Sequence, residues 1–215
     1  MVALVGLNGA GKTTLLNMAV GLAVPTAGTL TVLGGLPAGS PDALDRIAFV
    51  AQDAPLYKNL PVADMLHVAR NLNRRWDHQR AQARLAELGI PLNKKVGHLS
   101  GGQKAQLALT VALARRPDLL VLDEPLASLD LLSQREIVKL LHGLHQGLGV
   151  TILLVSHDLN PVLNVISSAI YLLDGHAHYD TMNNMVDDAL LSHIYGTPIE
   201  VAHTPLGELY MRSVL

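Results

Sequence analysis

The feature that most restricts what this chain can become lies in its first fourteen residues. Gly6-Leu7-Asn8-Gly9-Ala10-Gly11-Lys12-Thr13 fits the spacing G-x-x-x-x-G-K-[ST]. It stands between an apolar strand signal at 2–5 and a helical segment opening at Lys12, the context that this pattern requires. Glycines let such a loop fold so that successive backbone N–H groups face phosphate oxygens. The helix start adds the positive end of its dipole. Asn8, Gly9, Ala10, Gly11, Lys12, Thr13 and Thr14 are therefore the candidate nucleotide-binding residues, with Lys12 reaching the outer phosphates and the Thr13 hydroxyl placed to ligate Mg2+. A glycine-rich turn without function is the bland alternative, and a chance match at this composition is below about 1%.

Beyond the loop the chain reads as an α/β domain. Runs of four to six apolar residues alternate with longer periodic segments, the pattern of a mostly parallel sheet flanked by helices. Strands are predicted at 2–5, 29–33, 47–51, 119–122, 151–155 and 169–173. Helices are predicted at 12–20, 62–72, 77–88, 104–114, 131–144 and 159–165. In the fifth helix Ile137, Leu140, Leu141 and Leu144 mark one face. The stretch 53–97 differs: it is helical, richer in Arg and Asn and without a strand signal, so it reads as a helical lobe inserted in a body made of 1–52 and 98–215. With 215 residues the chain can bury about 70% of its unfolded surface in one domain. Aromatics are only 3%, so Leu, Val, Ile and Ala must build the core.

Composition also excludes function classes. Zero Cys removes disulfides, thiolate metal sites and a Cys nucleophile. A net charge of -2 argues against broad electrostatic binding, so no nucleic-acid partner is expected. No run of 18 or more apolar residues is present to span a membrane. The apolar start is no signal peptide either, since it lacks a positive leading region and is interrupted by Asn8 and Lys12.

Two further motifs carry chemistry. Leu119-Leu120-Val121-Leu122-Asp123-Glu124 is an apolar strand delivering adjacent carboxylates to its carboxyl end, where ligands sit in open α/β sheets. Asp123 suits a Mg2+ shell, and Glu124 suits a base that polarises attacking water. Leu99-Ser100-Gly101-Gly102-Gln103 precedes an apolar helix. Ser100 with Gln103 reads as a capping box, while the two glycines leave backbone N–H groups open to an anion. Both readings share one geometry. His176 and His178 have the i, i+2 spacing of metal ligands, but a complete site would need further donors.

In this order the motifs resemble those of ABC-type ATPases: 6–14 is similar to Walker A, Gln52 to the Q-loop, 99–103 to the signature, 119–124 to Walker B, Ser128-Leu129-Asp130 to the D-loop and Ser156-His157-Asp158 to the switch-His motif. The resemblance covers essentially the whole chain. It implies a P-loop NTPase fold of ABC type and an ATPase that powers a membrane transporter. The partners it implies are integral-membrane permease subunits and a second copy, or a paralogous ATPase, in a head-to-tail dimer. Lys12 and the loop of one subunit would then face Ser100, Gly101, Gly102 and Gln103 of the other across ATP. Gln52 would contact Mg2+ or the lytic water, so that Thr13, Gln52 and Asp123 form the expected metal shell. His157 would hold the γ-phosphate and orient Glu124. Asp130 would bridge the dimer, although helix capping is equally compatible. The expected location is cytoplasmic, peripheral on the inner face of the cell membrane.

The resemblance leaves alternatives. A soluble ABC ATPase of translation or DNA repair, or a low-turnover nucleotide-binding regulatory protein, would share these motifs. Leu56-Tyr57-Lys58-Asn59-Leu60 and the Arg74-Arg75-Trp76-Asp77 region look like ATPases of drug- or antibiotic-type exporters, whereas the segment from 156–161 through Tyr195-Gly196-Thr197-Pro198 looks more like ATPases of zinc and manganese importers. Leu56, Tyr57, Leu60 and Leu66 are the candidates to line a permease dock. The family also implies an aromatic ahead of Walker A that stacks on adenine. None of the chain's seven aromatics lies before that loop, so ATP binding weakened by about 1–3 kcal/mol and poor discrimination against GTP are expected.

Overall fold

The computed structural model describes residues 1–52, 55–127, 129–205 and 207–214. Ser128 of the D-loop motif, and Asp53 and Ala54 at the lobe entrance, lie outside the described residues. The chain runs β1 (Val2–Gly6), α1 (Lys12–Ala19), β2 (Thr31–Val32), β3 (Leu36–Pro37), α2 (Pro41–Arg46), β4 (Ile47–Val50), α3 (Val62–Leu72) and α4 (His78–Glu87). It continues with a 3-10 turn (Val96–His98), α5 (Gly101–Ala114), β5 (Leu119–Asp123), α6 (Leu131–Leu148), β6 (Thr151–Val155), β7 (Ser168–Leu173) and β8 (His176–Thr181). Last come α7 (Met182–Met185), α8 (Asp188–Tyr195), β9 (Ile199–His203) and β10 (Leu209–Ser213).

Six strands form the main sheet in the order β4-β5-β6-β1-β7-β8. The first five are mutually parallel, and β8 returns antiparallel to β7. Successive residues of a strand face opposite sides, and here both sides are apolar. Ala3, Val5, Leu120, Leu122, Ile152 and Leu154 enter the larger core with α5, α6, α7 and α8, while Leu4, Val121 and Val155 pack with Leu16 of α1, Val20 just past its end and Ala43 of α2. A parallel sheet covered on both faces is the arrangement that near-continuous apolar strands favour.

The lobe has its own core. Val62, Met65 and Leu66 of α3 meet Ala81 and Leu85 of α4, together with Ile90, Val96, Leu99 and the α5 residues Leu107 and Ala114. α5 presents Leu109, Ala112 and Leu113 to the body instead. One helix thus serves two cores.

Several sequence expectations need correction. The segment 159–165 is not a helix: it is a run of turns, with Val162 N–H bonded to Leu159 O at 2.9 Å, Val165 N–H to Val162 O at 2.9 Å and one isolated four-residue bond, Ile166 N–H to Val162 O at 3.1 Å. Leu159, Val162, Leu163 and Ile166 are all buried at helical spacing, so the periodicity reflects burial while the backbone is not helical. Asn160 N–H is taken by Asp158 Oδ1 at 2.9 Å, and Pro161 steers Asn160 away from helical backbone angles. The strand at 29–33 shrinks to Thr31–Val32, paired with β3 in a separate two-stranded ribbon. α5 begins at Gly101 rather than at 104, and α6 runs on to Leu148, where Gly149 closes it at φ 64. β3, β8, β9, β10, α2, α7 and α8 are additions to the expected elements. β8 reads HAHYDT and is almost wholly exposed, which leaves little hydrophobic signal.

Candidate nucleotide site

The sheet order decides where the motifs meet. β4, β5, β6 and β1 are neighbours and parallel, with Val50 level with Leu122, Asp123 with Val155, and Leu4 with Val155. The segments leaving their carboxyl ends therefore start side by side: Gln52 after β4, Glu124 after β5, Ser156 and His157 after β6, and the glycine loop after β1. Asn8, Gly9, Gly11, Lys12, Thr13, Thr14, Gln52, Asp123, Glu124, Val155 and His157 line one cleft of about 230 Å3. Val155 is the member that sequence reasoning missed, and its only signal was its place before Ser156.

The loop needs its glycines for stated reasons. A Cβ on Gly6 would lie 2.9 Å from Leu172 O. Gly11, at φ 97, turns the chain into α1 without a side-chain cap, so the first N–H groups of that helix are left to the cleft. Lys12 is buried, and its Nζ donates to Gly6 O at 2.7 Å and Leu7 O at 3.0 Å. Burial lowers its pKa, while Glu124 and Asp123 act in the opposite sense. Ala10 faces the other side of the loop, in a depression shared with Leu172, Asp174 and His193.

Asp123 and Glu124 are each 9% exposed. Burial pushes the pKa of both upward, against the pull of His157 and Lys12, so each ionised carboxylate gains from a nearby cation. Glu124 adopts φ 50, a left-handed conformation unusual for a residue with a side chain. Its N–H donates to Val155 O at 3.1 Å, and Ala127 N–H donates to its carbonyl at 3.1 Å. His157 N–H donates to Glu124 Oε2 at 3.3 Å, and His157 Nε2 stands 3.3 Å from Oε1.

The signature residues lie elsewhere. None of Ser100, Gly101, Gly102 and Gln103 lines this cleft; Gly101 borders an adjoining cavity that shares Gln52 and Glu124 with it. The capping box is formed in full: Gln103 N–H donates to Ser100 Oγ at 3.1 Å and Ser100 N–H to Gln103 Oε1 at 3.2 Å. Gly102 has a packing reason within the chain, since a Cβ there would meet Ser133 Oγ at 2.5 Å. Asp130 caps α6, accepting Ser133 N–H and Ser133 Oγ–H at 2.9 Å each. His176 and His178 sit on exposed β8, and among the described residues no group of three His, Asp or Glu could hold a metal. Leu66 is buried in the lobe core, which corrects its place in a docking groove. The neighbouring groove, about 260 Å3, is bordered instead by Phe49, Leu56, Tyr57, Met65, Val68 and Leu72.

A glycine loop from the central strand, with an acidic strand end beside it, defines a P-loop nucleotide-binding domain of α/β architecture. Likeness to known proteins narrows the class. Residues 1–127 match the ABC transporter family model, and the chain belongs to that family. It is 39% identical over 181 residues to the aliphatic sulfonates import ATP-binding protein SsuB of Pseudomonas fluorescens (strain Pf0-1), covering 83% of this chain and 65% of that one. It is 34% identical over 210 residues to the sulfate/thiosulfate import ATP-binding protein CysA 2 of Chromobacterium violaceum, covering 95% of this chain and 53% of that one. The chain thus spans under two thirds of either relative. Among solved structures, a dimeric ATP-binding cassette in a post-hydrolysis state with ADP and Pi has a TM-score of 0.72 and 28% identity, with 85% of each chain covered. A metal-chelate type ABC transporter in an inward-facing conformation shares the fold, with a TM-score of 0.80 over 100% of this chain and 85% of that one at 24% identity.

Proposed function

We propose that this chain is the ATP-hydrolysing subunit of an ABC membrane transporter, acting on separate permease subunits. The observation that carries the reading is the single cleft in which Lys12, Thr13, Gln52, Asp123, Glu124 and His157 meet at the ends of four adjacent parallel strands. ATP enters with its phosphates on the loop N–H groups and Lys12. Glu124 polarises a water whose oxygen attacks the γ-phosphorus as the bond to the ADP oxygen breaks, and the carboxylate takes the water proton. His157, held against Glu124, orients that carboxylate and the γ-phosphate. Lys12 and the loop N–H groups stabilise the charge that spreads over the γ-phosphoryl oxygens.

Mg2+ fits the donor set. The Thr13 hydroxyl, Gln52 carbonyl and buried Asp123 carboxylate supply oxygen ligands of the kind that this ion takes. When bound, the ion supplies charge neutralisation between the outer phosphates.

Ser100, Gly101, Gly102 and Gln103 stand apart from the chain's own cleft, at the exposed N-terminus of α5. This supports their facing the nucleotide of a second copy in a head-to-tail dimer, or of a paralogous ATPase. No helix of the described residues is long and apolar enough to cross a membrane, so membrane attachment is assigned to permease contacts on the cytoplasmic face. The groove beside α3, with Tyr57 and Leu72 exposed, is the proposed dock. Both curated relatives bear import names, which favours an importer. The deciding experiment measures phosphate release by the protein and by its Lys12→Ala variant. Hydrolysis that survives the substitution undiminished refutes the assignment of the cleft.

A further inference from the structure

The loop that carries His157 is tied to the C-terminal hairpin by an arrangement outside the cleft. Met211 and Leu209, two residues apart on β10, turn their N–H and C=O groups away from β9. Asn160 Nδ2 donates to Met211 O at 3.0 Å, and its Oδ1 accepts Met211 N–H at 2.7 Å. Asn164 repeats the pairing on Leu209, donating at 3.2 Å and accepting at 3.0 Å. Two side-chain amides four residues apart thus occupy the strand edge as the backbone of another strand would.

The same segment reaches His157 through short local bonds. Asn160 N–H donates to Asp158 Oδ1 at 2.9 Å, and Ser156 Oγ donates to Asp158 O at 2.6 Å, so both flanks of His157 are fixed. The hairpin is itself anchored to α8: Ile199 N–H donates to Ser192 Oγ at 2.8 Å and Val201 N–H to Asp188 Oδ1 at 2.9 Å. Leu209, Met211, Ile199 and Val201 pack on the main core. α8 ends beside the phosphate loop, where a Cβ on Gly196 would stand 3.3 Å from Leu7 Cδ2. The 159–165 stretch consists of turns without a helical ladder, so it draws little rigidity from its own backbone and depends on what it is bonded to.

We propose that Asn160 and Asn164 are positioning residues for hydrolysis, transmitting the placement of the C-terminal hairpin to His157. Amides that only covered a strand edge would serve against unwanted pairing, and their loss would not depend on the ring three residues upstream. The inference rests on the proposed roles of His157 and Glu124. It adds that α8, β9 and β10 set how often the His157–Glu124 contact is in its working geometry.

The test compares the protein with Asn160→Ala, Asn164→Ala and Asn160→Asp, the last keeping an acceptor for Met211 N–H while setting a carboxylate against its carbonyl. Steady-state hydrolysis, KM for ATP and melting temperature are measured for each. We expect kcat to fall about 3- to 30-fold with KM changed by less than about twofold, because binding groups are untouched while alignment is lost. In a His157→Ala background, read by single turnover with enzyme in excess, the same substitutions should change the rate by less than about twofold. Full kcat in folded Asn160→Ala and Asn164→Ala overturns the proposal, as does an undiminished loss without His157. Should Asn160→Ala fail to fold, Asn164→Ala and Asn160→Asp carry the measurement under the same criteria. A wild-type protein that does not hydrolyse ATP overturns the functional reading and this inference together. Active wild type with indifferent variants overturns this inference alone.

Discussion

Replacing Glu124 with Gln separates the chemistry of the cleft from its architecture. Gln keeps the side-chain volume and both backbone bonds, Glu124 N–H to Val155 O and Ala127 N–H to the carbonyl, and its amide oxygen can still accept His157 N–H. What disappears is the charge and the capacity to take a proton. A positioned general base contributes about 10²- to 10⁴-fold, equivalent to about 2.7–5.4 kcal/mol of barrier. Steady-state phosphate release should fall by that factor while ATP still binds, and size-exclusion chromatography with ATP and Mg2+ should show a stabilised dimer. Stability should move the other way. Burial raises the folded pKa of Glu124, so its ionised form is disfavoured in the native state. That penalty is complete above the folded pKa, shrinks as pH falls toward the unfolded value of 4.5, and vanishes below it. The variant should therefore melt higher than wild type at pH 7 and match it at about pH 3.5. Hydrolysis at a near wild-type rate would refute Glu124 as the base. A variant less stable at neutral pH would refute the electrostatic account of its burial.

Named contacts set four other outcomes. Lys12→Ala should weaken ATP binding by about 1.5–3 kcal/mol, roughly 10- to 150-fold in Kd by calorimetry, since a charge-assisted phosphate contact is lost. Leu85→Ala, at a fully buried lobe position, should cost about 2–5 kcal/mol and raise hydrogen exchange in α3 and α4 before β5 and β6. Burial raises the pKa of Asp118, but hydrogen bonds from Arg46 and Arg75 outweigh this and hold it below the usual 3.8. Its stabilising contribution is thus present above that value and lost as pH falls through the lowered folded pKa, so Asp118→Asn should lower the melting temperature at pH 7 and by progressively less as pH falls below 3.8. Cross-linkers placed on Tyr57 or Leu72 should capture a permease subunit; capture only from the edge holding the nucleotide cleft would reject the docking groove.

Most of the cleft was legible along the chain because its chemistry is local. A phosphate loop needs glycine, lysine and threonine at fixed offsets within one strand-loop-helix unit, and here that unit runs unbroken from β1 into α1. The Walker B carboxylates and the capping box at Ser100 and Gln103 are equally short-range. The helices α3 and α4 could be expected from periodicity and missing strand signals, though not the way α5 divides its residues between two cores. The helix expected at 159–165 failed for the opposite reason. Its apolar spacing satisfies burial whether the backbone coils or merely turns, and the partners that decide the matter, Leu209 and Met211, lie about 45–51 residues away. The strand order that brings Gln52, Glu124, His157 and Lys12 to one edge is likewise set by pairing between distant segments. The sequence alone marked the glycine loop, Gln52, the paired carboxylates and His157 as candidates to handle a nucleotide. Tertiary structure decided which of them share a cleft, because parallel pairing, burial of carboxylates and side-chain amides on a strand edge all arise between residues that no local pattern connects.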